Sequence, residues 1–319
     1  MPPRPRPRPH LHLVIGVLLF PFLLGSSSAF AASAAYFFGS FIPCLGRRSS
    51  ETTSTSMSMD IHNKNKELTT TIATTTRTST KRLILVRHGT SVANEYMNRP
   101  GNQWGDATFH DDGTMQDARL SHRGEQQANS MMSQLLQDQG QPSSSCILQN
   151  VELVVVSPLT RAIQTMELGI RPFLSKTCTA TATATPIILA HPDMTERVYT
   201  SSDTGRPVRV LQEEFPNVDF GLLSPQQDQW WYTGDSLVAN NEQYEEWRPF
   251  GQGQYYAVPG EPESVFQQRV KRFQKWLADR PEHTIVLVTH WAILKEWTGD
   301  EFYNGECRII EWNYVQESL

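Results

Sequence analysis

The sequence predicts a layered α/β domain built around a parallel sheet over residues 81–319. Three observations lead there. From Lys81 onward, short β-branched apolar runs alternate with amphipathic stretches of helical period. The first run, Leu83 to Val86, is followed at once by Arg87-His88-Gly89-Thr90. That puts an arginine and a histidine at a strand end, where a parallel sheet keeps its ligand. The chain's 319 residues also suffice for one large α/β domain or two small ones.

The strands expected in order are Leu83 to Val86, Val151 to Val156, Ile187 to Ala190, Ile285 to Val288 and Arg308 to Trp312. The clearest helix runs from Val265 to Asp279, with Phe266, Val270, Phe273 and Leu277 at helical spacing and therefore core. Ser264 and Gln267 have the spacing of a capping box for it. A second helix ends near Gln139 and is entered through Leu120-Ser121-His122-Arg123-Gly124-Glu125, whose His122 and Arg123 read as solvated turn residues. A third follows the Val151 to Val156 strand through Ser157-Pro158-Leu159-Thr160-Arg161. Pro158 suits its first turn, and Arg161 falls near the dipole end that favours anions. Thr289-His290-Trp291 follows the strand Ile285 to Val288. Three strand ends thus carry Arg87 with His88, Arg161, and His290, and one parallel sheet brings all three to a common rim. A neutral His88 is a nucleophile and Arg87 a forked cation for phosphate oxygens.

The N-terminal eighty residues are of another kind. They hold eight Lys or Arg and three Asp or Glu, net +5, leaving 20 basic and 30 acidic residues and net −10 for the body. An acidic body argues against broad nucleic-acid binding, so any phosphate site is a local cationic pocket. Arg4, Arg6 and Arg8, the uncharged run Leu13 to Leu24 and Ser27-Ser28-Ala29 form a signal-peptide pattern over residues 1–29. Twelve residues are too few to span a bilayer as a helix, which disfavours the competing reading of an uncleaved anchor and leaves no stable membrane association in the mature form. Residues 30–80, starting at Phe30 and rich in Ser and Thr from 47 on, have transit-peptide composition and too little apolar content to fold. This order resembles the bipartite plastid address of algae with complex plastids; a secreted or endomembrane protein with a disordered leader is the alternative.

Cys44, Cys146, Cys178 and Cys307 lie far apart without CxxC spacing, and no helical His pair occurs, so neither a disulfide framework nor a metal site is expected. Trp230, Trp231, Tyr232, Trp247, Phe250, Tyr255 and Tyr256, with Pro216, Pro225, Pro249 and Pro259, mark an aromatic-rich insertion around 197–260. It reads equally as a cap over the site and as packing on the domain. Arg206, Arg209 and Arg248 either meet a second anionic group of the substrate or pair with neighbouring acids. The run Thr177 to Thr185 reads as a surface loop.

Taken jointly, Arg87-His88-Gly89-Thr90 with Ser91 and Asn94, Ser157 to Arg161 with Gln164-Thr165, and Thr289-His290 resemble the histidine phosphatase superfamily, the phosphoglycerate mutase-like family, from about Arg82 to Leu319. The resemblance implies a three-layer α/β/α sandwich with a mostly parallel central sheet. It implies a phosphohistidine at His88, with Arg87, Arg161 and His290 holding the phosphoryl group, Asn94 lining the pocket, and no cofactor or metal. In the acid-phosphatase branch an Asp follows the second histidine; Trp291 stands there in this chain. The mutase-like branch keeps a glutamate where Asp193-Met194-Thr195-Glu196-Arg197 lies, which points to Glu196 as proton donor, with Asp193 the alternative. The Arg-x-Tyr-Gly run of the glycolytic mutases is missing after Glu196. The expected function is therefore a metal-independent phosphomonoesterase acting on a small phosphorylated metabolite. A phosphoglycerate-type phosphomutase is the alternative, as is a non-catalytic phospho-ligand binder that has had no cause to keep both histidines, both arginines and a glutamate.

Overall fold

In the computed structural model, residues 77–138, 150–174, 186–223, 229–234 and 254–316 are described. The chain divides between Asn63 and Lys64 into two units, and all described residues belong to the second. The signal segment and residues 30–76 of the transit segment lie outside the described residues, as do Thr177 to Thr185, Trp247, Arg248 and Phe250, and Cys44, Cys146 and Cys178.

Five strands, β1 (Arg77–Arg87), β2 (Leu153–Val156), β3 (Ile187–Ala190), β4 (Thr284–Thr289) and β5 (Cys307–Gln316), form one sheet in the order β3-β2-β4-β1-β5. All neighbours run parallel except β5, which is antiparallel to β1. The helices are α1 (Val92–Met97), α2 (His122–Asp138), α3 (Thr160–Gly169), α4 (Arg171–Leu174), α5 (Val208–Glu214), α6 (Glu263–Ala278) and α7 (Trp291–Thr298). This is the expected three-layer arrangement. Alternate residues of each strand point to opposite faces. Ile84, Val86, Val154, Val156, Val286 and Val288 pack with Met131, Met132 and Leu135 of α2 and Ile163 and Met166 of α3. Leu83, Leu85, Leu153, Val155, Ile285 and Leu287 pack with Phe266, Val270, Phe273 and Leu277 of α6 and Ile293 and Leu294 of α7. A strand covered on both faces needs apolar residues at every position, which is why these strands are legible as unbroken runs.

The connections decide where the ligand edge lies. The chain goes from β1 to β2 to β3 over the face of α2 and α3, then returns from β3 to β4 over the face of α6. A change of face with a change of direction is what a uniformly right-handed crossover requires. The chain therefore leaves β1 over one face and its neighbour β4 over the other, opening a crevice at their carboxyl ends, where a ligand binds.

Several local expectations are corrected. β1 begins at Arg77, so residues 77–80, assigned to the leader, belong to the sheet; their partners are Asn313 to Gln316 of β5, an antiparallel extension with no apolar signal. The capping box at α6 does not form: Pro262 is the cap, Ser264 is already helical, and Gln267 Nε2 donates to Glu263 Oε1 at 3.0 Å. Pro158 precedes α3 rather than lying in its first turn; Leu159 is the cap residue. The free N–H of Thr160 is met by Asp117 Oδ1 at 2.7 Å, a long-range cap that only the tertiary fold supplies.

The loop after β1 rests on α2. Thr90 O accepts from Ser121 N at 2.9 Å and from Ser121 Oγ at 3.2 Å, and Thr90 N donates to Gln127 Oε1 at 2.8 Å. Gly89 and Gly124 allow this approach: a Cβ on Gly124 lies 2.0 Å from Thr90 O, and one on Gly89 lies 2.5 Å from Gly124 O. The Leu120 to Gln127 motif is thus a buttress for the site loop, while His122 and Arg123 are exposed as expected. Replacing Gly124 by Ala is expected to lower stability by about 1–3 kcal/mol, as overpacking does, with His122→Ala within about 0.5 kcal/mol of the parent. Urea unfolding midpoints check both.

Candidate active site

His88 is the first residue past β1 and continues the ladder to β4 through its N–H to Thr289 O at 3.0 Å. Its side chain is 2 % exposed. Its Nδ1 lies 2.7 Å from Gly89 O, and because a carbonyl oxygen only accepts, this contact places the ring proton on Nδ1. Nε2 is left with its lone pair, facing Arg161 Nε at 3.3 Å. Burial first, then the charges of Arg161 and Arg87, hold the imidazole well below its usual pKa. His88 is therefore neutral at physiological pH.

Arg161 stands on the first turn of α3, as the sequence predicts. Besides facing His88 it donates to Ser202 O at 2.6 Å and Asp203 Oδ1 at 2.9 Å, a fully buried ion pair. Arg87 donates to Phe302 O at 2.5 Å, and its Nε has no partner among the described residues. His290 caps α7 with its backbone, its ring centroid 4.9 Å from that of His88. Its Nε2 is 2.7 Å from Ser157 Oγ, and Nδ1, also buried, has no hydrogen-bond partner among the described residues. Ser157 Oγ also accepts from Leu159 N at 3.3 Å, so this hydroxyl ties the His290 ring to the start of α3.

A cavity of about 290 Å³ opens above these residues, with Arg87, His88, Asn94, Arg161 and Glu196 in its wall. His290 is fully buried and is not among the residues of the wall. Glu196 Oε1 accepts from Arg197 N at 2.9 Å and from Ala292 N, in the first turn of α7, at 3.1 Å. Burial above all, then the neighbouring Asp203 carboxylate, raises its pKa from 4.5 to about 7, against the opposing pull of Arg161 and Arg87. Asp193 is not in the wall: it is a bidentate partner of Arg272, at 2.8 and 2.5 Å, on the α6 side. That removes it as the alternative proton donor.

The loop carrying Glu196 is held by a buried pair. Arg269 donates to both oxygens of Glu261 at 2.6 and 2.8 Å and to the carbonyls of Asp193, Thr195 and Glu196 at 2.9–3.0 Å. Neither residue stands out in sequence, since each is one charge among many. Asp203 is also missed there: Thr200 and Asp203 do have the spacing of a short cap, but nothing local shows that the carboxylate turns to Arg161. Asn304, in the wall with Nδ2 3.2 Å from His88 O and 3.3 Å from Asn94 Oδ1, carries no sequence signal at all.

The aromatic cap is not found among the described residues. Trp230 packs over Gly205 and donates to Arg206 O at 2.8 Å, Tyr255 stacks on His110 and Tyr256 packs on Phe109. The aromatic wall instead comes from Trp104, Tyr199 and Trp291. Arg206 takes the second of its two readings, bonding Asp117 at 2.7 Å and Glu214 at 3.0 Å, and Arg209 is exposed. Among the described residues no group of three or more His, Cys, Asp or Glu side chains is placed to hold a metal ion. The positive charge in the wall comes from guanidinium groups.

A neutral buried histidine beside two arginines, sharing a cavity wall with a carboxyl of raised pKa, is an arrangement suited to phosphoryl transfer. No model of a known protein family matches the chain. A phosphoglycerate mutase-like protein of Arabidopsis thaliana is 24% identical over 235 residues, covering 67% of this chain and 72% of that one. An alpha-ribazole phosphatase from Shigella flexneri aligns with TM-score 0.40 and 20% identity over 75% of this chain and 95% of its own. An open-reading-frame product of Mycobacterium tuberculosis aligns with TM-score 0.36 and 16% identity over 75% and 96%. In sequence the chain is thus similar to a phosphoglycerate mutase-like protein, and the order of its motifs along the sheet agrees with that likeness.

The raised pKa of Glu196 has a stability consequence. Between pH 4.5 and about 7 the folded state keeps a proton that the unfolded chain releases, so stability falls as pH rises through that window. Glu196→Gln keeps the acceptor oxygen and has no proton to lose. At pH 8 it is expected to be more stable than the parent by on the order of 2–3 kcal/mol, with the difference vanishing toward pH 4. Denaturant titrations across that range measure it.

Proposed function

We propose that the protein is a metal-independent phosphomonoesterase acting through a phosphohistidine at His88. The observation that carries the reading is the state of His88: neutral, with its Nε2 lone pair turned to the guanidinium of Arg161 at a cavity wall shared with Glu196. Nε2 attacks phosphorus in line, and the phosphorus–oxygen ester bond breaks. The leaving oxygen takes the proton of Glu196, whose pKa near 7 suits a general acid at neutral pH. Glu196, now a carboxylate, takes a proton from water as that water attacks the phosphohistidine. The phosphorus–nitrogen bond breaks, and phosphate leaves with His88 neutral again. Arg161 and Arg87 supply fixed positive charge to the phosphoryl oxygens, Arg87 Nε, without a partner among the described residues, is a further N–H for them, and His290 packs beside the nucleophile with its ring centroid 4.9 Å away. Asn94 serves in the wall beside them.

Mutase chemistry needs a further cation for the second acidic group of its substrate. Arg197, the residue after Glu196, instead donates to Glu261 O at 2.9 Å and pairs with Glu263. This supports release to water over transfer back to substrate. For an alkyl ester such as glycerol phosphate, EDTA-resistant phosphate release is expected, abolished in His88→Ala. Its kcat/KM should fall about tenfold per pH unit above pH 7, as Glu196 loses its proton. In Glu196→Gln that alkaline limb should vanish together with a drop of about 10²–10⁴ in rate. Release that depends on added metal, or persists in His88→Ala, contradicts the proposal.

The leader belongs to the same proposal: residues 1–29 and 30–76 act as a signal-plus-transit address to a plastid, ahead of a catalytic domain that begins with β1. A fluorescent fusion to residues 1–80, expressed in an alga with complex plastids, should mark the plastid; an endomembrane or secreted signal favours the alternative.

A further inference from the structure

Resting on the phosphatase reading above, we infer that the site takes esters whose leaving group is flat and uncharged, held between aromatic side chains, and that it discriminates against a second anionic group. The distribution of charge over the cavity wall carries this. Among the described residues, fixed positive charge in the wall comes from Arg87 and Arg161, both beside His88. Both are committed to the transferring phosphoryl group. The same wall holds two carboxyl groups, Glu196 and Asp203. A carboxylate or second phosphate on the leaving group thus meets no further cation in the described wall beyond those two, and its desolvation there is uncompensated, which costs affinity.

What the remaining wall offers is ring surface. Trp104 and Tyr199 pack edge to face at 5.4 Å with an interplanar angle of 66°. Trp291, the residue directly after His290, has its indole fixed by a hydrogen bond from Nε1 to Glu301 Oε2 at 2.5 Å. The polar neighbour on this side is a neutral amide, Asn98, with Nδ2 donating to Asn94 O at 2.6 Å. Aromatic walls with a few neutral amides suit a planar group through area and ring geometry. A volume of about 290 Å³ is at the small end for ligand pockets, enough for a phosphoryl group with one ring system.

The test compares two esters that both leave as primary alkoxides, 2-(1-naphthyl)ethyl phosphate and 3-phosphoglycerate, so that leaving-group chemistry does not decide the ranking. With the full chain, kcat/KM is expected to be at least about tenfold higher for the naphthyl ester. Trp104→Leu should raise KM for that ester roughly threefold to tenfold, the range one lost ring contact implies, and Trp104→Phe should restore most of it. Asn98→Arg, on an exposed position, should narrow the ratio by admitting the carboxylate. A preference for phosphoglycerate, or a Trp104→Leu effect equal on both esters, overturns the inference while leaving the phosphatase reading intact. If neither ester turns over, the phosphatase reading fails by itself, and fluorescence titration with 1-naphthylmethylphosphonate against 2-carboxyethylphosphonate decides the ligand class: tighter naphthyl binding supports it, and equal or weaker binding overturns it.

Discussion

The structure depends on one constraint: an imidazole kept neutral by burial between two guanidinium groups at the carboxyl edge of β1 and β4. Everything nearby serves to hold that arrangement. The backbone of His88 is fixed by the β4 ladder and its ring by Gly89 O, so the lone pair has one direction to point. Arg161 is fixed by Asp203 and Ser202 and faces that lone pair. A protonated His88 beside these two charges is disfavoured both by desolvation and by repulsion. The cost of burying so many polar groups is offset by hydrogen bonds that reach across the fold, from Gly89 N to Thr165 Oγ1 and from Thr160 N at the start of α3 to Asp117 Oδ1.

The same burial acts oppositely on the carboxyl group. Desolvation lowers the pKa of a histidine and raises that of a glutamic acid, so shared burial favours a free base at His88 and a protonated carboxyl at Glu196. Two titratable groups driven apart by one environment supply the nucleophile and the proton donor that the proposed mechanism requires. Glu196 keeps its place because Arg269 and Glu261 hold the carbonyls on either side of it, an ion pair whose use is geometric rather than catalytic.

Much of this is legible in the sequence, for a physical reason. Strands buried on both faces must be apolar throughout, so Leu83 to Val86 and Ile285 to Val288 announce themselves, and the residues that follow them are by topology the ligand edge. Arg87, His88, Arg161 and His290 converge because three strand ends do. What stays hidden is whatever depends on long-range pairing. Residues 77–80 read as leader because their partners are 233 to 239 residues away in β5, and a polar edge ladder leaves no pattern. Asp117 and Asp203 look like any loop carboxylates until α3 is placed beside them. Trp230, Tyr255 and Tyr256 suggest a cap by density alone, whereas Trp104, Tyr199 and Trp291 line the cavity from three distant segments. Asp193 and Glu196 are three residues apart, and only the position of Arg272 tells them apart.

The most direct test of the central claim is to trap the intermediate. Rapid acid-free quenching of the protein turning over a ³²P-labelled ester, followed by peptide mapping, should find label that is stable to base and labile to acid on the peptide containing His88, and none in His88→Ala. Label on another residue, or turnover with no label under conditions where the second step is slowed by Glu196→Gln, contradicts the account.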